Sequence, residues 1–279
     1  MARYHTPGSL SEACAVLAES PAVIAAGCTD LFPATEARTL PGPVLDLADI
    51  DELRGIGVSD QEIRIGALTS WSEIRHADLP PAFDMLRAAA AEVGGVQIQN
   101  AGTIGGNLCN ASPAADGVPP LLALDAEVSL CSSRGARRMA LSDFLTGPRQ
   151  TARAGDEILT EIRLPRRDGA SRFLKLGARH SLVISIVMVA ARLVCDSGRI
   201  REAALAVGAC SAVAVRLPAL EAALTGAPSD RAVDLVEADL VTRQLAPIDD
   251  IRADAPYRVE AAVELIRRAV ADLTGEAGA

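Results

Sequence analysis

Three glycines within five positions constrain this chain more than any other feature. Gly102, Gly105 and Gly106 lie in the run Asn100-Ala101-Gly102-Thr103-Ile104-Gly105-Gly106-Asn107. Glycine at this density, flanked by Thr103, Asn107 and Asn110, offers backbone donors and short polar side chains without bulk. The residues around it, 94–118, therefore read as a loop against which a diphosphate or the edge of a planar ring can rest. Asp116, further along the same stretch, adds a carboxylate able to accept from sugar or polyol hydroxyls, or to cap the helix that follows. A second glycine turn lies upstream, at Ala25-Ala26-Gly27-Cys28-Thr29-Asp30-Leu31. It follows the apolar run Ala22–Ala26, so a strand enters a turn whose successive amides can face an anion.

Around these two segments the pattern alternates. Ser9-Leu10-Ser11-Glu12 has the capping-box form and predicts a helix from about residue 10. Val44-Leu45-Asp46-Leu47 predicts a second strand, parallel to the one at 22–26, and residues 33–43, with three prolines, predict the connection between them. From Leu53 the pattern turns antiparallel, with strands at 55–58 and 63–66, a capping box at Ser70–Glu73 and an alanine-rich helix over 82–92. A helical segment at 121–124 and strands at 127–131 and 158–164 follow. The uncharged run Ser181–Ala191 is too short to span a bilayer and predicts a buried strand over 183–194, paired as a hairpin with 203–207. Helices are expected at 213–224, 229–244 and 257–273. The division expected is 1–52, 53–169 and 170–279, in an α+β architecture.

Several functions are excluded by what is missing. Acidic residues outnumber basic ones, 36 to 27, with seven aromatics and no clustered Lys/Arg run, so nucleic acid is not an expected partner. The Rossmann glycine pattern, the Walker P-loop, G-x-S-x-G and H-E-x-x-H are all absent. His5, His76 and His180 stand beside no carboxylate or reactive serine in sequence, so no catalytic residue is assigned. Six cysteines with no C-x-x-C pair read as reduced thiols and provide no metal site. The first ten residues lack a secretory signal, so a cytoplasmic protein is expected.

At its glycine segments the chain resembles the flavoprotein subunits of molybdenum hydroxylases, such as those of xanthine dehydrogenases and carbon monoxide dehydrogenases. The resemblance rests on Tyr4–Ala13, Ala26-Gly27-Cys28-Thr29-Asp30-Leu31, Ile63–Thr69, Thr103-Ile104-Gly105-Gly106-Asn107 with Ala111–Asp116, Glu157–Pro165 and Phe173-Leu174-Lys175. It implies a two-subdomain FAD-binding domain of the vanillyl-alcohol-oxidase-like type, followed by a C-terminal α/β domain with an antiparallel sheet and helices. It implies FAD on this chain, held by Ala25–Leu31, Thr103–Asn107, Asp116, Leu159 and Lys175. It also implies two partners, a large subunit with the molybdenum cofactor and a small one with two [2Fe-2S] clusters, in a heterotrimer or a dimer of heterotrimers. Electrons would pass from those clusters through FAD to NAD or another acceptor. Cys28 departs from the glycine or small residue frequent at its position. The stretch Ala178–Ile184, which approaches the flavin in relatives, carries His180 and Val183 here. The rival reading is a nucleotide- or anion-binding module without redox activity.

Overall fold

The computed structural model describes residues 3–36, 40 and 42–275. Residues 37–39 and 41 of the expected connection lie outside the described residues.

Strands Tyr4–His5, Val44–Asp46 and Val23–Ala25 form a parallel sheet with Val44–Asp46 in the middle. The helix Leu10–Glu19 covers it, its start fixed by Ser9, whose side chain accepts from the Glu12 amide. Glu12 turns back to the Gly8 amide, not to that of Ser9, so the expected capping box closes one residue early. Ala13, Cys14 and Leu17 bury one helical face on Leu45, Leu47, Ile50, Leu53 and, from the next unit, Leu68 and Ile158.

The second unit is a five-stranded antiparallel sheet in the order Ile56–Val58, Glu62–Gly66, Ile158–Pro165, Glu127–Ser132, Gly135–Ala140. Its alternating inward residues, among them Ile63, Ile65, Val128, Leu130, Ile162 and Leu164, pack beneath helices Trp71–His76, Asp84–Glu92, Ile104–Asn110 and Val118–Ala123. Ser70 and Glu73 make the complete capping box expected.

The stretch read as a loop over 94–118 is largely helical, as Val96–Ala101, Ile104–Asn110 and Val118–Ala123. Thr103 caps the second of these by accepting from the Gly106 amide, and packing outweighs the poor helix propensity of two adjacent glycines.

Strands Ala170–Leu176, Val187–Asp196, Arg199–Gly208 and Val215–Arg216 form the C-terminal antiparallel sheet. The hairpin turns on Ser197 and Gly198, both at positive φ, as a two-residue turn of this twist requires. The two faces of this sheet read differently. Val187, Val189, Leu193, Leu205 and Val207 pack on the long helix Ala255–Thr274, while the smaller Ala190, Ala204 and Ala206 face the second unit. Burial on both sides explains the uncharged run, but the strand begins at Val187, and Leu182 and Ile184 before it are exposed.

Two helices were read too long. The one expected over 213–224 opens as the edge strand Val215–Arg216 and turns helical only at Pro218. The one expected over 229–244 is two 3-10 turns and the short helix Ala238–Thr242. The last helix forms as expected, capped by Asp254.

Candidate functional site

The turn after Val23–Ala25 leaves the C-terminal end of a parallel strand and runs along a cavity of about 490 Å³ between the first and second units. Among the described residues the backbone amides of Gly27, Cys28, Thr29, Asp30 and Leu31 donate to no protein acceptor. Cys28 holds φ +57° there, a left-handed conformation that alternates the amide directions and makes a concave anion cradle. Burial, reinforced by Asp46, pushes the Cys28 thiol up, so the side chain places no negative charge beside the cradle. Asp30, at the rim, is exposed.

The facing wall is the first turn of the helix Ile104–Asn110, whose amides are spent within the protein, contrary to the donor role expected of them. Ile104 donates to the Thr69 carbonyl at 3.0 Å, Gly105 to the Ala67 carbonyl at 2.9 Å, Gly106 to Thr103 Oγ1 at 3.1 Å and Asn107 to the Thr103 carbonyl at 3.0 Å. The glycines serve contact instead. A Cβ on Gly105 would fall 2.7 Å from Ala67, and one on Gly27 would fall 1.9 Å from the Ala101 carbonyl oxygen. The two glycine segments therefore meet backbone to backbone, and the cavity lies along that seam. Asn107 lines it with a buried Oδ1 that has no hydrogen-bond partner. A buried orphan acceptor is costly unless something outside the chain completes it.

Ala26, Gly27, Cys28, Thr29, Asp30, Leu31, Thr103, Gly105, Gly106, Asn107 and Leu159 all line this one cavity. Leu159 stands where the strand Ile158–Pro165 shifts register against Glu127–Ser132, a bulge that re-aims the chain at the cavity edge. Ala25 and Ile104 do not line it; both are core.

Asp116 and Lys175 lie outside this lining and bond to each other. Lys175 Nζ donates to Asp116 Oδ2 at 2.8 Å and to the Glu92 carbonyl at 3.2 Å, and Ser185 Oγ donates to Asp116 Oδ1 at 2.6 Å. Burial pushes the Asp116 carboxyl up, against the Lys175 charge and hydrogen bond, which pull it down. Lys175 also borders a second cavity of about 430 Å³ with Glu92, Arg179, His180 and Val183. Val93 lines the first cavity and Glu92 the second, so the end of the helix Asp84–Glu92 divides them.

Asn110, named with the glycines in the sequence, also lines the first cavity, whereas Trp71, Leu47, Cys109 and Arg153 were not singled out by the sequence. Arg153, the one cation of the lining among the described residues, is held by the Glu157 carbonyl at 2.7 Å, and its setting Ala152-Arg153-Ala154 carries no sequence signal. Cys109 is open to solvent yet deep in a concave wall, where desolvation pushes its thiol up to about 11.

Residues 1–167 match the family described as the FAD binding domain in molybdopterin dehydrogenase, and residues 172–273 match the CO dehydrogenase flavoprotein C-terminal domain. The chain is 40% identical over 194 residues to the nicotinate dehydrogenase FAD-subunit of Eubacterium barkeri, covering 66% of each. It is 29% identical to the putative xanthine dehydrogenase FAD-binding subunit of Escherichia coli (strain K12), over 99% of this chain and 97% of that one. A solved structure of reconstituted CO dehydrogenase from Oligotropha carboxidovorans superposes with a TM-score of 0.92 at 28% identity, covering 99% and 98%.

Proposed function

This chain belongs to the family of FAD-binding medium subunits of molybdenum hydroxylases, and from that premise we propose that it holds FAD in the 490 Å³ cavity as the electron-exit subunit of such a complex. The observation that carries the placement is the pairing, in one cavity, of five unspent amides at Gly27–Leu31 with the orphaned Asn107 Oδ1. When bound, FAD supplies the redox chemistry, and the protein supplies binding, orientation and electrostatics.

The cradle of Gly27–Leu31 amides fits a diphosphate, and Thr29 adds a hydroxyl. Asn107 Oδ1 accepts from a donor on the cofactor, and Gly106 keeps the wall thin enough for close approach. Leu159, Leu47 and Trp71 give apolar surface for a flat ring system. Asp116 and Lys175, expected as FAD contacts, do not line this cavity; in the same reading they stand behind the end of the helix Asp84–Glu92, where Lys175 borders the second cavity. The division 1–52, 53–169 and 170–279 is supported by the sheets, the three-stranded one lying in the first unit, the five-stranded and two-stranded ones in the second and the four-stranded one in the third.

The remaining parts of the reading rest on relatives. They are electron supply from [2Fe-2S] clusters on a small partner, a molybdenum cofactor on a large one, NAD or another acceptor, a heterotrimer or its dimer, and a cytoplasmic setting. One solved relative is described as a Cu,Mo-CO dehydrogenase. Among the described residues no helix is long and apolar enough to cross a membrane.

The test is an absorbance spectrum of the purified protein with its co-purifying chains, before and after dithionite, with the released cofactor identified by mass. Flavin bands that bleach, with FAD released, support the reading. A colourless protein that takes up no added FAD defeats it and favours an anion-binding module.

A further inference from the structure

Cys14, buried on the helix Leu10–Glu19, and Cys131, partly exposed on the strand Glu127–Ser132, have their sulfurs 3.9 Å apart although 117 residues separate them in sequence. Both are free thiols, and neither lines a cavity. Their contact crosses the seam between the first and second units. On one side the helix leads through Ser20 to the strand Val23–Ala25 and the Gly27 turn. On the other, Cys131 pairs in register with Ile158, which lines the cavity beside Leu159. The thiol contact thus lies behind the cavity, between the helix that leads to the Gly27 turn and the strand that pairs with Ile158.

We propose that Cys14 and Cys131 are a peroxide-responsive pair whose disulfide staples the two walls of the cavity together. Cys131 is the thiol that meets oxidant, because it is partly exposed while Cys14 is 3% exposed. Its sulfur attacks hydrogen peroxide, the O–O bond breaks, hydroxide leaves and takes up the thiol proton as water, and a sulfenic acid remains. Cys14 then attacks that sulfur; an S–S bond forms, the S–O bond breaks, and the Cys14 proton leaves with the hydroxide as a second water. Two thiols and one peroxide give one disulfide and two waters. Burial and the neighbouring Cys131 push the Cys14 thiol up to about 12, which makes Cys14 the resolving and slower partner. Bond formation needs the sulfurs to close from 3.9 Å to about 2.05 Å.

The test starts from the protein as purified with its co-purifying chains, oxidised with stoichiometric hydrogen peroxide, alkylated, and digested without reductant. The expected result is a peptide joining Cys14 to Cys131, lost on dithiothreitol treatment and absent in Cys14→Ala and Cys131→Ala. Cross-linking across so long a loop should raise Tm by about 5 to 15 °C, and dissociation of the native bound cofactor should slow severalfold in the oxidised wild type but in neither variant. Both variants should bind cofactor as the reduced wild type does, which separates failure of the staple from failure of the flavin reading. Recovery of Cys14 fully alkylatable after oxidation, with Cys131 as a sulfinic acid or linked to another molecule, would overturn the proposal. So would a joined peptide with unchanged dissociation rate and Tm.

Discussion

Gly27→Ala isolates the seam between the two glycine segments. Gly27 is not among the residues at positive φ, so no left-handed penalty enters and the perturbation is that of the added methyl group. That carbon would lie 1.9 Å from the Ala101 carbonyl oxygen, 2.8 Å from its carbon and 2.9 Å from Gly102 Cα, all backbone atoms with no rotamer to yield. Reaching even a tight contact of about 3.2 Å parts the walls by about 1.3 Å. Overpacking of this kind costs about 1–3 kcal/mol of stability. The larger effect is on the cradle, since a displacement of about 1 Å takes its amides out of line with an anion. Losing two hydrogen bonds to a charged group costs about 3–6 kcal/mol, or about 10²- to 10⁴-fold in Kd for FAD. Flavin fluorescence titration of the apoprotein measures that Kd, and thermal unfolding measures the stability term. Gly57→Ala, where an added Cβ meets nothing within 4 Å, is the control and should bind normally. If Gly27→Ala binds FAD with wild-type Kd and melts at the wild-type temperature, the seam does not shape the site and the argument is wrong.

Cys28→Gly should keep its flavin, because it relieves a left-handed residue worth about 1–2 kcal/mol at a similar cost in chain entropy. Cys28→Val should lose it, and equal flavin-to-protein absorbance ratios in the two variants would refute the cradle. Lys175→Met leaves Asp116 buried and unpaired, and should destabilise by about 3–5 kcal/mol in urea unfolding; adding Asp116→Leu should recover much of that, and a strictly additive double variant would show that the pair is not coupled. Acid should destabilise the protein below about pH 4.5. Hydrogen bonds from Arg137 hold the Glu157 carboxyl low, and at Asp250 the hydrogen bonds from Arg252 and the Arg258 charge overcome burial and hold it at about 2. Depressed carboxylates add stability above their unfolded pKa and lose it as pH falls through the folded one, so urea midpoints should drop between about pH 4.5 and 2, and a flat profile would contradict this. Asn107→Leu removes an orphaned buried acceptor, so the flavin-free protein should melt higher while FAD binds more weakly by about 1–3 kcal/mol; a parallel loss of both would mark Asn107 as purely structural.

Strand and helix assignments were legible wherever one period dominated. The parallel pair at 23–25 and 44–46, the antiparallel pair at 56–66 and the capping box at Ser70–Glu73 followed from local pattern. The failures have a common cause in tertiary packing. Gly105 and Gly106 read as loop because glycine is a poor helix former, yet they lie in a helix, where Ala67 leaves no room for a Cβ at Gly105 and Thr103 Oγ1 would stand 2.9 Å from one at Gly106. Val215–Arg216 read as helix, but its backbone is drawn into the sheet by Ala206 and Val207, far away in sequence. Arg153 had no signal at all, since its role comes from where the loop 152–157 folds back.

The site itself was visible as glycine and short polar residues, but what those residues do was not. Both segments were read as donors, and only the first is one. The distinction lies in where each amide is spent, and that depends on Thr69, Ala67 and Thr103, whose carbonyl or hydroxyl oxygens reach the second segment and not the first. The two local faults in the cavity wall, a non-glycine residue at φ +57° and a buried amide oxygen without a partner, are both costs that folding alone does not repay. Both occur at residues that line the cavity shared by the two glycine segments, and a chain that tolerates them there is shaped around a ligand.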